Sequence, residues 1–384
     1  YLKANYPVEF MAASMTLDLG NTDKLGDFRQ EARRMGIEIV PPTINRSMVH
    51  FDVDDGKIVY AMGAIKGVGE HAVEHIVEVR GDTPFTSLGD FARRISPKFL
   101  NKRTLENLVA AGAFDELEPN RARVLEGLDR IMGLAQRTEE NKSLGQDELF
   151  GGSDGEEPLQ LPDAAPWSGE ERLQREHAAI GFYLSGHPLD DYLPALKRKN
   201  VLTLEELQKK AEREGAAIAK VGVLVSGLQE RKSGRGTRFF RMNISDPTGQ
   251  VAGMVMFCDD FEATRQVFEQ TNQVVMTLEA RFNEGQFDPM GRSVAPMDGI
   301  VADAGAAGLR IFVDDPAAIV QVDNVLSRAA ETVRGVGRGP IHFCLLNPDL
   351  PGEVEIDTGV EYPVNPQIKG AIRSLAGVLE VQEV

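Results

Sequence analysis

Cysteine is nearly absent from this chain. Only Cys258 and Cys344 occur among 384 residues, and each is embedded in strand-like sequence far from the other. Two distant thiols supply neither a disulfide framework nor a cysteine-based zinc site, and such usage is typical of a reducing compartment. We therefore expect a cytoplasmic protein.

Long apolar runs are also absent. No segment approaches the length that crosses a bilayer, and no charged region followed by a signal-like apolar core begins the chain. The first residue is Tyr1 and not Met, and "YLKANYPVEFMAASM" is typical of the middle of a helical region. The sequence thus predicts a piece of a larger protein that has no membrane partner.

An excess of positive charge is lacking as well. The chain has 42 Lys and Arg against 59 Asp and Glu, a net charge of -17. This balance excludes a surface that is basic throughout, so any contact with nucleic acid must come from local patches. A chain of 384 residues is too long for one compact domain, and we expect about two to four.

The apolar period changes along the chain. A period near 3.6 predicts helices, and a polar, acidic stretch at 137–168 predicts a linker. In "MVHFDVDDGKIVYAMG" apolar residues alternate around Asp55-Gly56, which predicts a two-stranded hairpin. The segments with helical pattern are 1–44, 68–135, 170–184 and 203–215.

The period becomes two after residue 220. Strands are predicted at 221–229, 237–245, 250–257, 273–281 and 286–294, with one helix at 260–270. Three strands, a helix and two strands are the element order of a five-stranded OB-fold β-barrel. From Leu309 the order strand, helix, strand, strand, helix, strand predicts a small α+β module. The fold class is therefore multidomain α+β.

The string "GAIKGVGEHAV" holds a Gly-Val-Gly turn before a helix. Glycines let a phosphate approach the free N–H groups of a helix N-terminus, which is how a helix-hairpin-helix element grips a DNA backbone. In this interpretation Val68 fills the core, and Lys66 adds charge beside Gly67 and Gly69. An ordinary tight turn is the alternative. A second turn at Gly112 in "LVAAGAFDEL" favours DNA binding, because such elements commonly work in pairs.

A local basic patch occurs in "QERKSGRGTRFFRMNI", which has no acidic residue from 231 to 241. Strand alternation places Phe240 in the barrel core and Phe239 on the outer face. An outward aromatic side chain beside arginines suits single-stranded DNA, but a solvated loop with Phe239 covered by another domain is the alternative. The predicted single-strand contacts are Arg231, Lys232, Arg235, Arg238, Phe239 and Arg241.

Motifs for catalysis are missing. Asp52, Asp54 and Asp55 crowd a hairpin turn, where no further acid completes a two-metal site. "GVGRGP" leads into a strand and not a helix, and His187 has no His or Cys at ligand spacing. We predict no catalytic residue, no metal ligand and no cofactor in this segment.

Several strings resemble bacterial replicative DNA polymerase III α subunits over essentially the whole chain. They are "NTDKLGDFRQEARRMGI", "PPTINRS", "GAIKGVGEHAVEHIVEVR", "FLNKRTLENLVAAGAFDEL" and "EHAAIGFYLSGHPLDDY". The resemblance implies the C-terminal half of a template-directed, Mg²⁺-dependent DNA polymerase whose catalytic aspartates lie in a palm domain upstream. This segment alone is then expected to be inactive, and to supply duplex and single-strand DNA binding.

The resemblance also implies a domain order. The expected segments are 1–48, end of the polymerase fingers; 49–136, helix-hairpin-helix clamp-binding domain; 137–168, acidic linker; 169–219, helical connector; 220–300, OB fold; and 301–384, the C-terminal α+β domain. In the family the last domain binds the clamp-loader τ subunit, an assignment that rests on position alone. Other polymerase III subunits are expected partners too.

The acidic linker contains "SLGQDELFGGSDGEE", which resembles the family's peptide for the β sliding clamp. The resemblance assigns Gln146 to a polar subsite and Leu149 and Phe150 to an apolar one. Flexible tethering would keep the local concentration of such a peptide high. Asp147 stands where the favoured peptide has Leu, which predicts weaker binding.

Two alternatives to a replicative α subunit stay open. One is the error-prone paralogue, which typically lacks this clamp peptide and this final domain. The other is a non-polymerase combination of hairpin and OB domains, such as part of a DNA ligase or a tRNA-binding protein, or a non-enzymatic DNA-binding protein with both modules. A ligase would need a Lys-x-Asp-Gly motif, and the sequence contains none.

Overall fold

A computed structural model of the chain describes residues 1–143, 159–234, 236–283, 285–302, 308–332, 338–346, 354–375 and 377–384. These residues form two compact units, Tyr1–Ser185 and Gly186–Val384. The finer six-part division stays a prediction.

The first unit is mostly helical, as its period of 3.6 predicted. Its elements are α1 (Leu2–Asn5), α2 (Pro7–Leu17), α3 (Thr22–Arg34), β1 (Ile39–Val40), β2 (Asp52–Asp54), β3 (Lys57–Val59), a 3₁₀ helix (Met62–Ala64), α4 (Glu70–Arg80), α5 (Leu88–Arg94), α6 (Lys102–Ala111), α7 (Arg121–Glu126), α8 (Leu128–Ser143) and α9 (Gly169–Ile180).

Side-chain caps set the beginnings of these helices. Asn21 caps α3 by accepting a hydrogen bond from the Lys24 N–H at 3.2 Å. Asn101 caps α6 in the same way through the Thr104 N–H. α9 ends at Ile180, four residues earlier than predicted, because Gly181 adopts the left-handed conformation with φ of 104°.

The predicted hairpin is confirmed. β2 and β3 pair antiparallel, and both turn residues have positive φ, 49° at Asp55 and 71° at Gly56. β1 pairs parallel with β3, a contact that the periodicity did not predict.

On both sides of residues 144–158 the chain packs into the first unit. α8 continues to Ser143, past residue 137 where the linker was expected to begin. On the other side, Leu159, Leu161 and Trp167 pack against the core of the unit. The Arg130 guanidinium also donates to the Gln160 carbonyl at 2.7 Å. The predicted clamp residues Gln146, Leu149 and Phe150 lie outside the described residues.

The second unit combines a helical connector, a barrel and an α+β module. Its elements are a 3₁₀ helix (Asp190–Tyr192), α10 (Leu193–Arg198), α11 (Leu204–Glu214), β4 (Ala216–Lys232), β5 (Arg238–Asp246), β6 (Gly249–Met256), α12 (Phe261–Gln270), β7 (Gln273–Asn283), β8 (Gln286–Pro296), α13 (Met297–Ala302), β9 (Leu309–Val313), α14 (Ala317–Thr332), β10 (Arg338–Leu345), β11 (Val354–Pro363), α15 (Pro366–Arg373) and β12 (Val378–Glu383).

Strands β4 to β8 close into a barrel in the order β4-β5-β6-β8-β7. Pairing is antiparallel except between β6 and β8, where Val255 lies opposite Met290 in a parallel pair. α12 connects the third strand to the fourth. This arrangement confirms the predicted five-stranded OB fold. The predicted alternation in β5 is confirmed too, since Phe240, Met242 and Ile244 are at most 1% exposed.

The last elements form the predicted α+β module. Its sheet has the order β11-β10-β9-β12, with β9 and β10 parallel and the other pairs antiparallel. Ile311 and Val313 of the sheet are buried together with Leu326 of α14 and Ile372 of α15. Within the described ranges, no helix has the length and apolar character needed to cross a membrane.

Candidate nucleic-acid interface

The turn at Gly67–Gly69 lies at the surface of the first unit. A 3₁₀ helix of three residues precedes it, and α4 follows it. Gly67 has φ of 72°, a conformation that residues with a Cβ rarely adopt. Val68 is buried, with 7% of its surface exposed, so its predicted place in the core is confirmed.

The exposed glycines carry hydrogen-bond donors that are not used. Among the described residues, no acceptor binds the backbone N–H of Gly67 or Gly69. Gly69 is the N-cap of α4, and in the described residues no backbone acceptor binds the N–H groups of Glu70 and His71, the first two of the helix. Together with the helix dipole, these groups make the turn suitable for an anion such as a phosphate.

The turn is held between α9 and α6. On the α9 side the Lys66 N–H donates to the Ala179 carbonyl at 2.8 Å. Burial, and then the charge of Lys66, lower the pKa of His177, so the Lys66 ammonium lies near this end of α9. On the α6 side, a Cβ placed on Gly67 would lie 2.7 Å from Nδ2 of Asn107. Lys66 itself is exposed.

The second turn, at Gly112, differs from the expectation of a paired hairpin. Gly112 is buried, and a Cβ placed on it would lie 2.2 Å from a guanidinium nitrogen of Arg121. Turns and not a helix follow directly, and the next helix begins only at Arg121. Because Gly112 is buried and the Arg121 side chain fills the space beside it, this turn leaves no room for a phosphate.

The outer face of the barrel carries an aromatic pair. Phe239 of β5 lies beside Phe257, which follows β6, with ring centroids 5.3 Å apart and planes tilted by 38°. Arg231 stands opposite Phe239 in the β4–β5 pairing and donates to the Gln229 side chain at 2.8 Å. Arg241 is exposed on the same face, and a Cβ placed on Gly253 would lie 2.9 Å from its guanidinium.

Phe239 and Phe257 border a groove of about 650 Å³. It runs over β5, β6 and the ends of β7 and β8, and its lining includes Lys232, Phe239, Gly253, Phe257, Arg281 and Phe287. The sequence predictions did not include Phe257, Phe287 or Arg281. Alternation in "VAGMVMFCDD" places Phe257 outward once Met254 and Met256 are inward, and could have found it.

Arg238 does not join this face. Its guanidinium lies 3.8 Å from the ring centroid of Phe261 and binds Glu262 at 2.6 Å and Glu230 at 3.3 Å. It thus covers the side of the barrel next to α12, on the face opposite to Phe239. Arg235 lies outside the described residues.

The acidic residues and the histidine that were considered as metal ligands lie in surroundings that do not form a metal site. Asp52 and Asp54 flank the β2–β3 turn, and His187 is buried, with Nε2 3.1 Å from the Ser245 hydroxyl and Nδ1 accepting the Leu189 N–H. In the part of the chain that the structure describes, no group of three or more His, Cys, Asp and Glu side chains could hold a metal ion.

Comparison with known proteins gives two results. The helix-hairpin-helix motif family matches residues 36–124. The DNA polymerase III α subunit of Caulobacter vibrioides is 36% identical over 387 residues, covering 100% of this chain and 33% of that protein. The subunit of Escherichia coli K12 is 33% identical over 393 residues, with the same coverage. The chain belongs to the DNA polymerase III α-subunit family.

The chain spans about a third of the length of its DNA polymerase III α relatives, and matches their C-terminal part. A subunit from Neisseria meningitidis serogroup A is 42% identical over 258 residues, 66% of this chain. The helix-hairpin-helix match includes the Gly67–Gly69 turn and all of α6.

Proposed function

We propose that this chain is the DNA-holding and clamp-attaching portion of a replicative DNA polymerase III α subunit. Its duplex contact is the Gly67–Gly69 turn, and its single-strand contact is the outer face of the barrel. The observation that carries the proposal is the exposed turn with unused N–H groups inside a region that matches the helix-hairpin-helix family.

At the turn, backbone groups do the binding. The N–H groups of Gly67 and Gly69 donate to phosphate oxygens, and the N-terminus of α4 adds the positive end of its dipole. Lys66 supplies one mobile charge beside them. None of these groups reads a base edge, so binding is independent of sequence and falls with rising salt.

At the barrel, Phe239 and Phe257 offer ring faces on which bases stack, while Arg231, Lys232 and Arg241 pair with phosphates. Support comes from the groove that Phe239, Phe257 and Lys232 border, which lies over the second and third strands where OB folds bind oligonucleotides. Arg281 also borders the groove, but its guanidinium lies 3.3 Å from the Glu279 carboxylate, which offsets its attraction for a phosphate.

The remaining roles belong to the same proposal. The peptide with Gln146, Leu149 and Phe150 binds the β sliding clamp, and the module at 301–384 binds the clamp-loader τ subunit. The polymerase relatives imply Mg²⁺ for the parent protein, and our proposal places its catalytic site outside this segment, which spans about a third of those relatives. This segment alone is inactive, and primer extension by the purified chain should be undetectable.

Gly69 permits a test that separates folding from binding. Its φ of -77° and ψ of 148° suit an N-cap side chain, and no atom lies within 4 Å of a Cβ placed there. Gly69→Asp should therefore cap α4 without strain while its carboxylate repels phosphate. Gly69→Ser is the matched uncharged cap.

The expected result is a loss of duplex affinity of about tenfold or more for Gly69→Asp, and about threefold or less for Gly69→Ser. Fluorescence anisotropy with a labelled duplex measures both. Equal affinity of Gly69→Asp and the parent chain, or no duplex binding by the parent, would overturn the proposed duplex contact.

A further inference from the structure

The side of α6 that borders the glycine turn carries two polar side chains with no assigned role. Asn107 is half-buried, and its Nδ2 is the atom that a Cβ on Gly67 would meet at 2.7 Å. Arg103 is exposed one helical turn earlier, so the two share a face of the helix. In the described part of the chain, neither side chain has a hydrogen-bond or ion-pair partner.

The absence of partners is not general on this helix. Lys102, next to Arg103, binds Asp129 at 2.6 Å, and Asn101 caps the helix through the Thr104 N–H. Arg103 and the half-buried amide of Asn107 are therefore the α6 donors that remain available beside the turn.

Local charge favours a polyanion at this place. From Phe91 to Leu105 the sequence has no acidic residue and contains Arg93, Arg94, Lys98, Lys102 and Arg103, although the whole chain has a net charge of -17. Three of these cations already pair with acids, Arg94 with Asp90, Lys98 with Glu139 and Lys102 with Asp129, so Arg103 is the cation that carries the argument. Glu70 at the start of α4 and Glu106 on α6 are further acids on the two helices. These acids limit the attraction, and among the described residues the only atoms within 4 Å of a Cβ placed on Gly67, its chain neighbours aside, belong to Asn107.

We propose that Asn107 and Arg103 complete the phosphate site of the hairpin, so that the site is built from two elements and not from the glycine turn alone. This inference rests on the proposed function. Asn107 donates its amide N–H to the phosphate whose other oxygens bind the Gly67 and Gly69 N–H groups. Arg103 pairs with the neighbouring phosphate along the same strand.

The close contact at Gly67 has a second meaning in this arrangement. Any side chain at 67 would displace the Asn107 amide as well as strain the backbone, because φ is 72° there. Glycine at 67 thus serves both the turn and the position of the neighbouring donor.

The test measures duplex affinity over a series of salt concentrations for Asn107→Ala, Arg103→Ala and the control Lys102→Ala. Asn107→Ala should weaken binding about tenfold without changing the salt slope, because it removes a donor and no charge. Arg103→Ala should weaken binding and reduce the slope by about 0.9. Lys102→Ala also removes one positive charge, but from a side chain that is already paired with Asp129, and should therefore change affinity about twofold or less.

Folding of each variant is checked by chemical denaturation followed through Trp167, the single tryptophan of the chain, which packs in the first unit. If Asn107→Ala and Arg103→Ala bind like the parent while Gly69→Asp loses affinity, the two-element site is wrong and the hairpin contact stands. If Gly69→Asp also binds like the parent, or the parent binds no duplex, both proposals fail. An equal loss for Lys102→Ala and Arg103→Ala would likewise overturn the inference, since the effect would then be general charge.

Discussion

Arg121 and Glu176 meet in the interior of the first unit, where their side chains are 6% and 2% exposed and lie 3.5 Å apart. Arg121 also binds Asp115 at 2.7 Å and the Ala110 carbonyl at 2.9 Å. Glu176 accepts the backbone N–H groups of Leu184 and Ser185. This pair therefore joins α7 to the chain that follows α9.

Removal of Glu176 should destabilise the first unit. Glu176→Ala leaves two N–H groups without an acceptor and one buried guanidinium with a single carboxylate, which we expect to lower the free energy of unfolding by about 3 kcal/mol. Denaturant unfolding followed by Trp167 fluorescence measures the change.

The control is Glu171→Ala on the same helix, whose exposed pair with Arg175 should contribute about 0.5 kcal/mol or less. Equal effects of the two substitutions would show that burial of the Arg121–Glu176 pair adds nothing.

His75 should make the first unit sensitive to acid. Its Nε2 accepts the Ser96 N–H at 2.8 Å, and its ring stacks on Phe99 with centroids 4.6 Å apart. Burial lowers the pKa of His75, while Glu78 and Glu139 oppose this less strongly. The unfolded chain, with an ordinary pKa of 6.5, then binds the proton more readily than the folded one.

The stabilising contribution of His75 is consequently present above about pH 6.5 and lost as the pH falls through 6.5 toward the lower pKa of the folded state. His75→Gln should reduce this loss between about pH 7.5 and 5.5, as measured by denaturation at each pH. His177, whose pKa burial also lowers, still contributes its own loss of stability at low pH in that variant. His71→Gln, at a side chain that is 92% exposed, is the control, and an identical change in both variants would contradict the prediction.

The aromatic pair on the barrel should bind bases. Phe257→Ala, and the double substitution Phe239→Ala with Arg241→Ala, are expected to weaken binding of a labelled oligothymidine by roughly 1–3 kcal/mol per lost stacking contact. The double variant should also show a flatter salt dependence. Arg238→Ala should have a smaller effect than Arg241→Ala, because Glu230 and Glu262 hold the Arg238 side chain.

Arg213→Ala, at an exposed position on α11 outside the groove, controls for the loss of one charge. If all these variants bind like the parent chain, the basic loop and its aromatic neighbours are only a solvated surface.

The clamp peptide offers changes in both directions. Replacing Leu149 and Phe150 by Ala should remove binding to the cognate β clamp, whereas Asp147→Leu should strengthen it by restoring the favoured residue. Surface plasmon resonance measures each affinity, and Glu148→Ala at a spacer position is the control. Unchanged affinity of the Ala double variant would rule out the peptide.

The barrel could be predicted because the inward face of a strand is evident from its own sequence. In β5, for example, Phe240, Met242 and Ile244 alternate with polar residues. The orientation of Arg238 could not be predicted, since it depends on Phe261 and Glu262 of a later helix. The same holds at Gly112, where Arg121 comes from farther along the chain.

The ends of the predicted linker were misjudged for another reason. The linker was predicted from composition averaged over a window, and such an average hides a few apolar residues. Here Leu159, Leu161 and Trp167 pack against the core of the first unit and attach the surrounding polar stretch to it. Asn107 carries no local signal, because its significance comes from contact with Gly67 across two elements.

The docking of residues 159–185 has a consequence for limited proteolysis. This segment is attached to the first unit by Trp167, by the Arg121–Glu176 pair and by the Lys66–Ala179 hydrogen bond, and not only by the peptide chain. A single cut between residues 144 and 158 should therefore yield two polypeptides that co-elute under native conditions and separate only in denaturant. In a nicked preparation, the hairpin and the barrel would remain one particle although no covalent bond joined them.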